Sequence, residues 1–376
     1  MKPSAIIILD PRGKISLGGS DVINRHQNYG KHLASISKKL KLIVFTSGNS
    51  KLISSNSKYL DQHVLSKPTF NSLKFAWQAN RCVQKERIDV KLLIAGDPWE
   101  SFWSALLLNK FMRRDIPIQL QIHGDIADPL WRKINLRNRI RFVLARIFCK
   151  RATSVRAVSK NQKINLVKNL GIVKAKVRVI PVPISLKSLD LRERKSRNRP
   201  PTIALIGRIH KDRGIDYFLR LLKKIDTISH DFSVILIGSG KDELEFLTSL
   251  RKIVGPNRVK FVGQISQKQL SLYWREIGVL VSLAPVESYG LVMREALVSG
   301  VPVWALESSG SKDLFSAERT GQIKHLELDA NPDSLFIEFN KLLKAKPNAG
   351  FKNKFIKENA SLPSILVKSW VQLIEF

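Results

Sequence analysis
Short apolar runs alternate with longer stretches of helical spacing along this chain. Ala5 to Leu9, Lys41 to Phe45, Leu92 to Ala95, Ile118 to Ile122, Ser154 to Val158 and Val177 to Ile180 read as buried strands. Between them, His32 to Leu40 and Leu73 to Cys82 carry apolar residues at helical spacing. The alternation is that of βαβ units around a parallel sheet. It stops at Leu189 to Pro201, a charged stretch with two prolines and few apolar residues, which reads as a linker. It then restarts. Thr202 to Ile206, Ser233 to Ile237, Val259 to Val262, Val279 to Leu283 and Val301 to Trp304 are the predicted strands. Asp216 to Ile225, Leu244 to Ile253 and Gln267 to Trp274 are the helices between, and Ser364 to Phe376 is an amphipathic helix.

The expected fold is therefore α/β, with two Rossmann-like domains whose parallel sheets face across a cleft. The boundaries are 1–188, a linker at 189–201, 202–358, and a closing helix at 359–376. The length of 376 residues and a 44% hydrophobic content support two such cores. The two cysteines, Cys82 and Cys149, form neither a disulfide framework nor a metal-ligand spacing, which favours a reducing cytosol. The apolar run near Met1 is too short for a signal peptide and is followed by Asp10, so it reads as a first strand. No stretch reaches the roughly 18–20 apolar residues of a membrane span.

Charge changes the picture. The net charge is +33, which calls for an anionic partner. Between Pro129 and Leu189 stand sixteen Lys or Arg and no Asp or Glu, about half of that net charge. Within this segment, Trp131 to Phe148 interleaves Ile, Leu, Val and Phe with basic residues at helical spacing. It reads as a helix with its apolar face packed inward and a basic outer face drawn to an anionic membrane surface.

The candidate chemistry lies in four strings. The first runs from Val286 to Val303, VESYGLVMREALVSGVPV. A buried strand enters a loop with Glu287, Tyr289 and Gly290, and a helix follows with Leu291, Val292 and Glu295. Ligands in open α/β sheets bind beyond the carboxyl ends of the strands, where this loop must lie. A helix start offers free N–H groups to a phosphate, and carboxylates accept hydrogen bonds from sugar hydroxyls. The second is Gly207-Arg208-Ile209-His210-Lys211-Asp212-Arg213-Gly214, which places cations at a strand end, as a departing pyrophosphate requires. The third, Gln119 to Asp125, delivers His123 and Gly124 at the end of a strand. The fourth is Ser16 to Ser20, where Gly18 and Gly19 form either a plain turn or a close approach to a diphosphate or acceptor.

The spacing of Glu287 and Glu295 resembles the Glu-x7-Glu motif of the retaining GT-B glycosyltransferases of family 4. Arg156-Ala157-Val158-Ser159-Lys160, Val179 to Pro183, Ile237-Gly238-Ser239-Gly240 and Phe261-Val262-Gly263 are similar to further pieces of that family. The resemblance implies a nucleotide-sugar donor, UDP- or GDP-linked, with no metal and no other cofactor. It implies that Glu295 holds the donor ribose and that Glu287 contacts the sugar near its anomeric carbon. Gly290, Leu291 and Val292 would meet the diphosphate through their backbone. Arg208 matches the family's arginine. Arg213 stands where a lysine is usual, so either it or Lys211 supplies the second cation. His123 would lie by the donor sugar as a catalytic group, Gly18 and Gly19 would face the centre, and Gly263 would meet the base.

The same resemblance implies an acceptor-binding first domain, a donor-binding second domain, and a saccharide or lipid-linked acceptor. The setting would be the cytoplasmic face of the plasma membrane, in cell-surface polysaccharide or glycolipid synthesis. Two rival readings are a nucleic-acid-binding protein and another GT-B enzyme such as a sugar-nucleotide epimerase. The first lacks stacking platforms among its basic residues, and the Glu-x7-Glu string argues against the second. No nucleic-acid partner is expected.

Overall fold
The computed structural model describes residues 3–17, 19–48, 56–192, 201–314 and 321–374. The chain divides into two compact units, one of residues 1–181 with 361–376, the other of 182–360.

The first unit is built on β1 (Ser4–Asp10), β2 (Leu40–Ser47), β3 (Asn56–Ser57), β4 (Leu60–Ser66), β5 (Asp89–Ala95), β6 (Ile118–Ile122), β7 (Ser154–Ala157) and β8 (Val177–Val179). Their order is β3-β4-β2-β1-β5-β6-β7-β8. Every pairing is parallel except the edge pair β3–β4. Helices cover both faces, so the central strands are apolar on both sides; in β1, Ala5, Ile6 and Ile7 are fully buried. The strand order reverses direction between β1 and β5.

The second unit contains β9 (Thr202–Ile206), β10 (Ser233–Ile237), β11 (Val259–Gly263), β12 (Val279–Ser282), β13 (Val303–Ala305) and β14 (Ile323–His325). The order β11-β10-β9-β12-β13-β14 is all parallel. This is the doubly wound 3-2-1-4-5-6 arrangement, and its crevice opens beyond the carboxyl ends of β9 and β12.

Several expectations are corrected. The helix expected over His32 to Leu40 is Gly19–Ile36, and Leu40 already belongs to β2, paired with Ser4. Sheet pairing overrides the local helical pattern there. The basic stretch from Trp131 to Phe148 is two helices, Pro129–Lys133 and Leu136–Phe148. Asn135, in extended conformation, caps the second by accepting from the Asn138 N–H at 2.8 Å. The closing helix begins earlier, at Ala349, and runs to Ile374 with Pro363 inside it. Of the linker 189–201, residues 193–200 lie outside the described residues. Leu189 and Asp190 at its start are buried in the second unit, where Asp190 accepts from the Arg275 Nε at 2.5 Å.

Candidate active site
In the second unit the loops after β9 and β12 flank the crevice. After β12 comes Pro285 to Gly290, and then the helix Leu291–Val298. Gly290 sits at φ +71°, a left-handed conformation that disfavours any other residue, and it turns the chain into the helix. The Glu287 carboxylate accepts from the N–H of Gly290 at 3.2 Å, and the Glu287 carbonyl accepts from the Gly310 N–H at 2.7 Å. This pins the loop on both sides.

The loop after β9 presses on the same place. Gly214, at φ +77°, opens the helix Ile215–Asp226, and a Cβ there would stand 2.1 Å from the Leu283 carbonyl oxygen. Only glycine allows that approach, which brings the neighbouring Arg213 to Glu287. The guanidinium donates to the Glu287 carboxylate at 2.8 Å. Lys211 is placed differently, since its ammonium lies 3.7 Å from the exposed Glu245. Of the two cations left open by the sequence, Arg213 is the one beside Glu287. Arg208 is exposed and makes no ion pair among the described residues.

Arg208 and Gly207 also line a pocket of about 420 Å³ with Gly238, Ser239, Gln264 and Gln267. The pocket lies at the carboxyl ends of β9, β10 and β11. Gly263 immediately precedes its wall, and its carbonyl accepts from the Gly238 N–H at 2.8 Å.

Glu295 is buried on the helix Leu291–Val298, and its carboxyl accepts from the Ser188 hydroxyl at 3.1 Å. Burial raises its pKa to about 7, against which the Ser188 hydrogen bond pulls downward. Ser188 is itself held by the indole of Trp274, which donates to its carbonyl at 2.9 Å. The residue beside Glu295, Arg294, is buried with its guanidinium 3.7 Å from the centre of the Tyr289 ring. Tyr289 is thereby a wall of the loop. Leu291 and Val292 form the first turn of the helix. Neither Ser188 nor Arg294 was singled out from the sequence. Ser188 stands 107 residues from Glu295 with no local signal.

In the first unit, His123 follows β6 and is exposed. Gly18 lies outside the described residues. Gly19 is the first residue of the helix Gly19–Ile36, not part of an open turn. The preceding short helix Lys14–Leu17 is anchored by buried Asp10, whose carboxylate accepts from the Lys14 N–H at 3.0 Å, the Ile15 N–H at 2.7 Å and the Thr46 hydroxyl at 2.8 Å. At the crevice between β1 and β5, buried Glu100 pairs with Arg12 and, at 3.2 Å, with Arg141. Arg141 also stacks 4.5 Å from the Trp99 ring centre, and Trp99 stacks on Trp131.

Two family models match, end to end. Residues 29–188 match Glycosyltransferase Family 4, and residues 188–360 match Glycosyl transferases group 1. The chain belongs to glycosyltransferase family 4. The chain is 29% identical over 215 residues to an "Uncharacterized 41.2 kDa protein in cps region" of Klebsiella pneumoniae, covering 54% of this chain and 56% of that one. It is 24% identical to a GDP-mannose-dependent alpha-mannosyltransferase of Mycolicibacterium smegmatis, covering 50% and 44%. The chain thus spans about half the length of the curated relatives it matches. Its fold is that of Anabaena HepE, solved in complex with UDP-glucose, with a TM-score of 0.68, 17% identity, and coverage of 97% and 99%. This is the GT-B fold of two Rossmann-like units.

Proposed function
We propose that the glycosyltransferase transfers a sugar, with retention, from a UDP- or GDP-sugar to a saccharide or lipid-linked acceptor. The observation that carries this reading is the Glu287 carboxylate, fixed by the Gly290 N–H and by Arg213 at the crevice of the second unit. A carboxylate so held accepts hydrogen bonds from sugar hydroxyls. Arg208 and Arg213 supply stationary positive charge for the departing diphosphate, and the first N–H groups of the helix Leu291–Val298 add to it. Glu295 accepts from the ribose. The dependence of one relative on GDP-mannose and the UDP-glucose bound by HepE support the donor class. The cps-region relative supports a role in cell-surface polysaccharide.

A thermal-shift titration with UDP, GDP and their sugar conjugates tests the reading, because a ligand of the folded state raises the melting temperature. Ionised Glu295 is the better acceptor for a ribose hydroxyl. Its pKa of about 7 means that the folded protein holds it largely protonated below that pH. Nucleotide affinity should therefore rise with pH through 7, by up to ~10-fold per pH unit below it, and Glu295→Gln should abolish the slope. A flat pH profile, or no shift with any nucleotide, refutes the assignment.

The cytoplasmic membrane face is the proposed setting. No helix among the described residues is long and apolar enough to cross a membrane. Contrary to the inward-packed apolar face expected from the sequence, the helix Leu136–Phe148 buries Phe142 and Ala145 but exposes Leu136, Ile140, Val143 and Ile147 along one stripe, each more than half accessible, beside Arg137, Arg139 and Arg146. An exposed apolar stripe flanked by arginines suits the interface of an anionic bilayer. Flotation with phosphatidylglycerol-containing vesicles should recover the protein, and Ile140→Glu with Val143→Glu should weaken binding by at least ~10-fold. Equal flotation of the double variant would sink this placement.

A further inference from the structure
The sequence assigns Cys82 no role, but the fold gives it two partners. Cys82 lies in the last turn of the helix Ser72–Lys85, and Glu86 follows four residues later as the helix cap, its N–H donating to the Cys82 carbonyl at 3.0 Å. That spacing puts both side chains on one helix face. His63 reaches them from β4. The Cys82 Sγ lies 3.9 Å from the His63 Nδ1 and 3.8 Å from the Glu86 Oε1. The His63 Nδ1 lies 3.4 Å from that same oxygen.

Three ligand atoms on a tetrahedral zinc ion, with bonds of about 2.3 Å to sulfur and about 2.1 Å to nitrogen and oxygen, stand about 3.6 Å apart across the sulfur pairs and about 3.4 Å across the nitrogen–oxygen pair. Every edge of the observed triangle agrees to within about 0.3 Å, and the sulfur edges are the longer ones, as the bond lengths require. The His63 ring stands edge-on to Phe45 at 87°, which fixes its plane. Its side chain is 16% exposed and that of Glu86 42%, so the cluster opens to solvent on the Glu86 side.

We propose that His63, Cys82 and Glu86 form a binding site for a borderline transition cation of the zinc class, separate from the sugar-donor residues. On coordination the thiol releases its proton to solvent and a metal–sulfur bond forms, with no change of oxidation state. The ion joins β4, next to the sheet edge, to the helix Ser72–Lys85. The site is a structural clip within the first unit.

The test uses the full chain, stripped of metal and titrated with Co²⁺. One equivalent should produce ligand-field bands of tetrahedral cobalt together with a thiolate-to-cobalt charge-transfer band, and Zn²⁺ should displace it and raise the melting temperature. Cys82→Ser should lose the charge-transfer band, and Cys149→Ser should keep it. Glu86→Gln, at an exposed position that tolerates the change, should weaken cobalt binding by at least ~10-fold. The proposal is overturned by the absence of a charge-transfer band, by a band that persists in Cys82→Ser, or by undiminished affinity in Glu86→Gln. All three readouts are independent of sugar transfer, so their failure leaves the donor site standing.

Discussion

Arg208→Ala is expected to slow sugar transfer by about 10²–10³-fold, the cost of removing one fixed charge that stabilises a developing anion. The physical reason lies in its setting. Arg208 is exposed at the end of β9, lines the pocket, and has no ion-pair partner among the described residues. Its removal breaks no hydrogen bond or ion pair among the described residues, so the melting temperature should stay within about 1 °C, as for surface substitutions generally. Arg213→Ala differs, because Arg213 already pairs with Glu287 and its loss also frees that carboxylate. Arg208→Lys keeps the charge and loses the bidentate fork, so its rate should fall between wild type and alanine. Because the charge matters most as the glycosidic bond breaks, kcat should fall more than donor KM rises. Full activity in Arg208→Ala, measured by release of nucleoside diphosphate, would remove this residue from the mechanism.

The largest loss of stability should come from Arg156→Met. Arg156 is almost wholly buried beneath the first unit's sheet end, and its guanidinium donates to the Ile180 carbonyl at 2.8 Å, the Pro181 carbonyl at 2.6 Å and the Gln121 side-chain oxygen at 3.1 Å. Methionine fills similar volume but leaves two buried acceptors, on Ile180 and Gln121, and the partly buried Pro181 carbonyl without those donors. At about 1 kcal/mol or more for each unsatisfied group, the cost is roughly 3 kcal/mol. For a unit of this size that corresponds to a melting temperature lower by roughly 6–12 °C. Arg156→Lys should recover only part of it, because one ammonium cannot reproduce the planar fork. A calorimetric shift below about 2 °C for Arg156→Met would show that the three acceptors find other donors.

The strands legible in the sequence are those buried on both faces. Ile118–Ile122, Thr202–Ile206 and Ser233–Ile237 fall where their apolar runs put them. Leu60–Ser66 was missed because LDQHVLS mixes polar and apolar positions near the sheet edge, and its register depends on β2, remote in sequence. Ile323–His325, with only three residues, gives no periodicity to detect.

In the candidate site, Glu287 and Gly290 were legible because a strand, a loop and a helix start lie together in one short string. The pairing of Arg213 with Glu287 needed two distant loops to meet at Gly214, and only the fold brings them there. Arg294 gives no local signal of its burial, which comes from packing against the Tyr289 ring in the fold. The cysteine spacing hid Cys82's neighbours for a related reason, since one comes from the same helix but the other from a strand nineteen residues earlier.

The last helix has a consequence for the order in which the protein assembles on the ribosome. Its early residue Asn359 exchanges hydrogen bonds with Ile184 inside the second unit, whereas Leu366, Val367 and Trp370 are buried in the first, with the Trp370 indole donating to Gln119 at 2.8 Å. The second unit is one unbroken length of chain and can close as soon as it has emerged. The first unit begins emerging earlier but lacks part of its interior until the final turns are synthesised. At translation speeds of about 5–20 residues per second, the roughly 190 residues separating Pro181 from Trp370 impose a wait of some ten to forty seconds. During that interval an incomplete sheet must remain out of aggregates, and the N-terminal half of this chain is the half that finishes folding last.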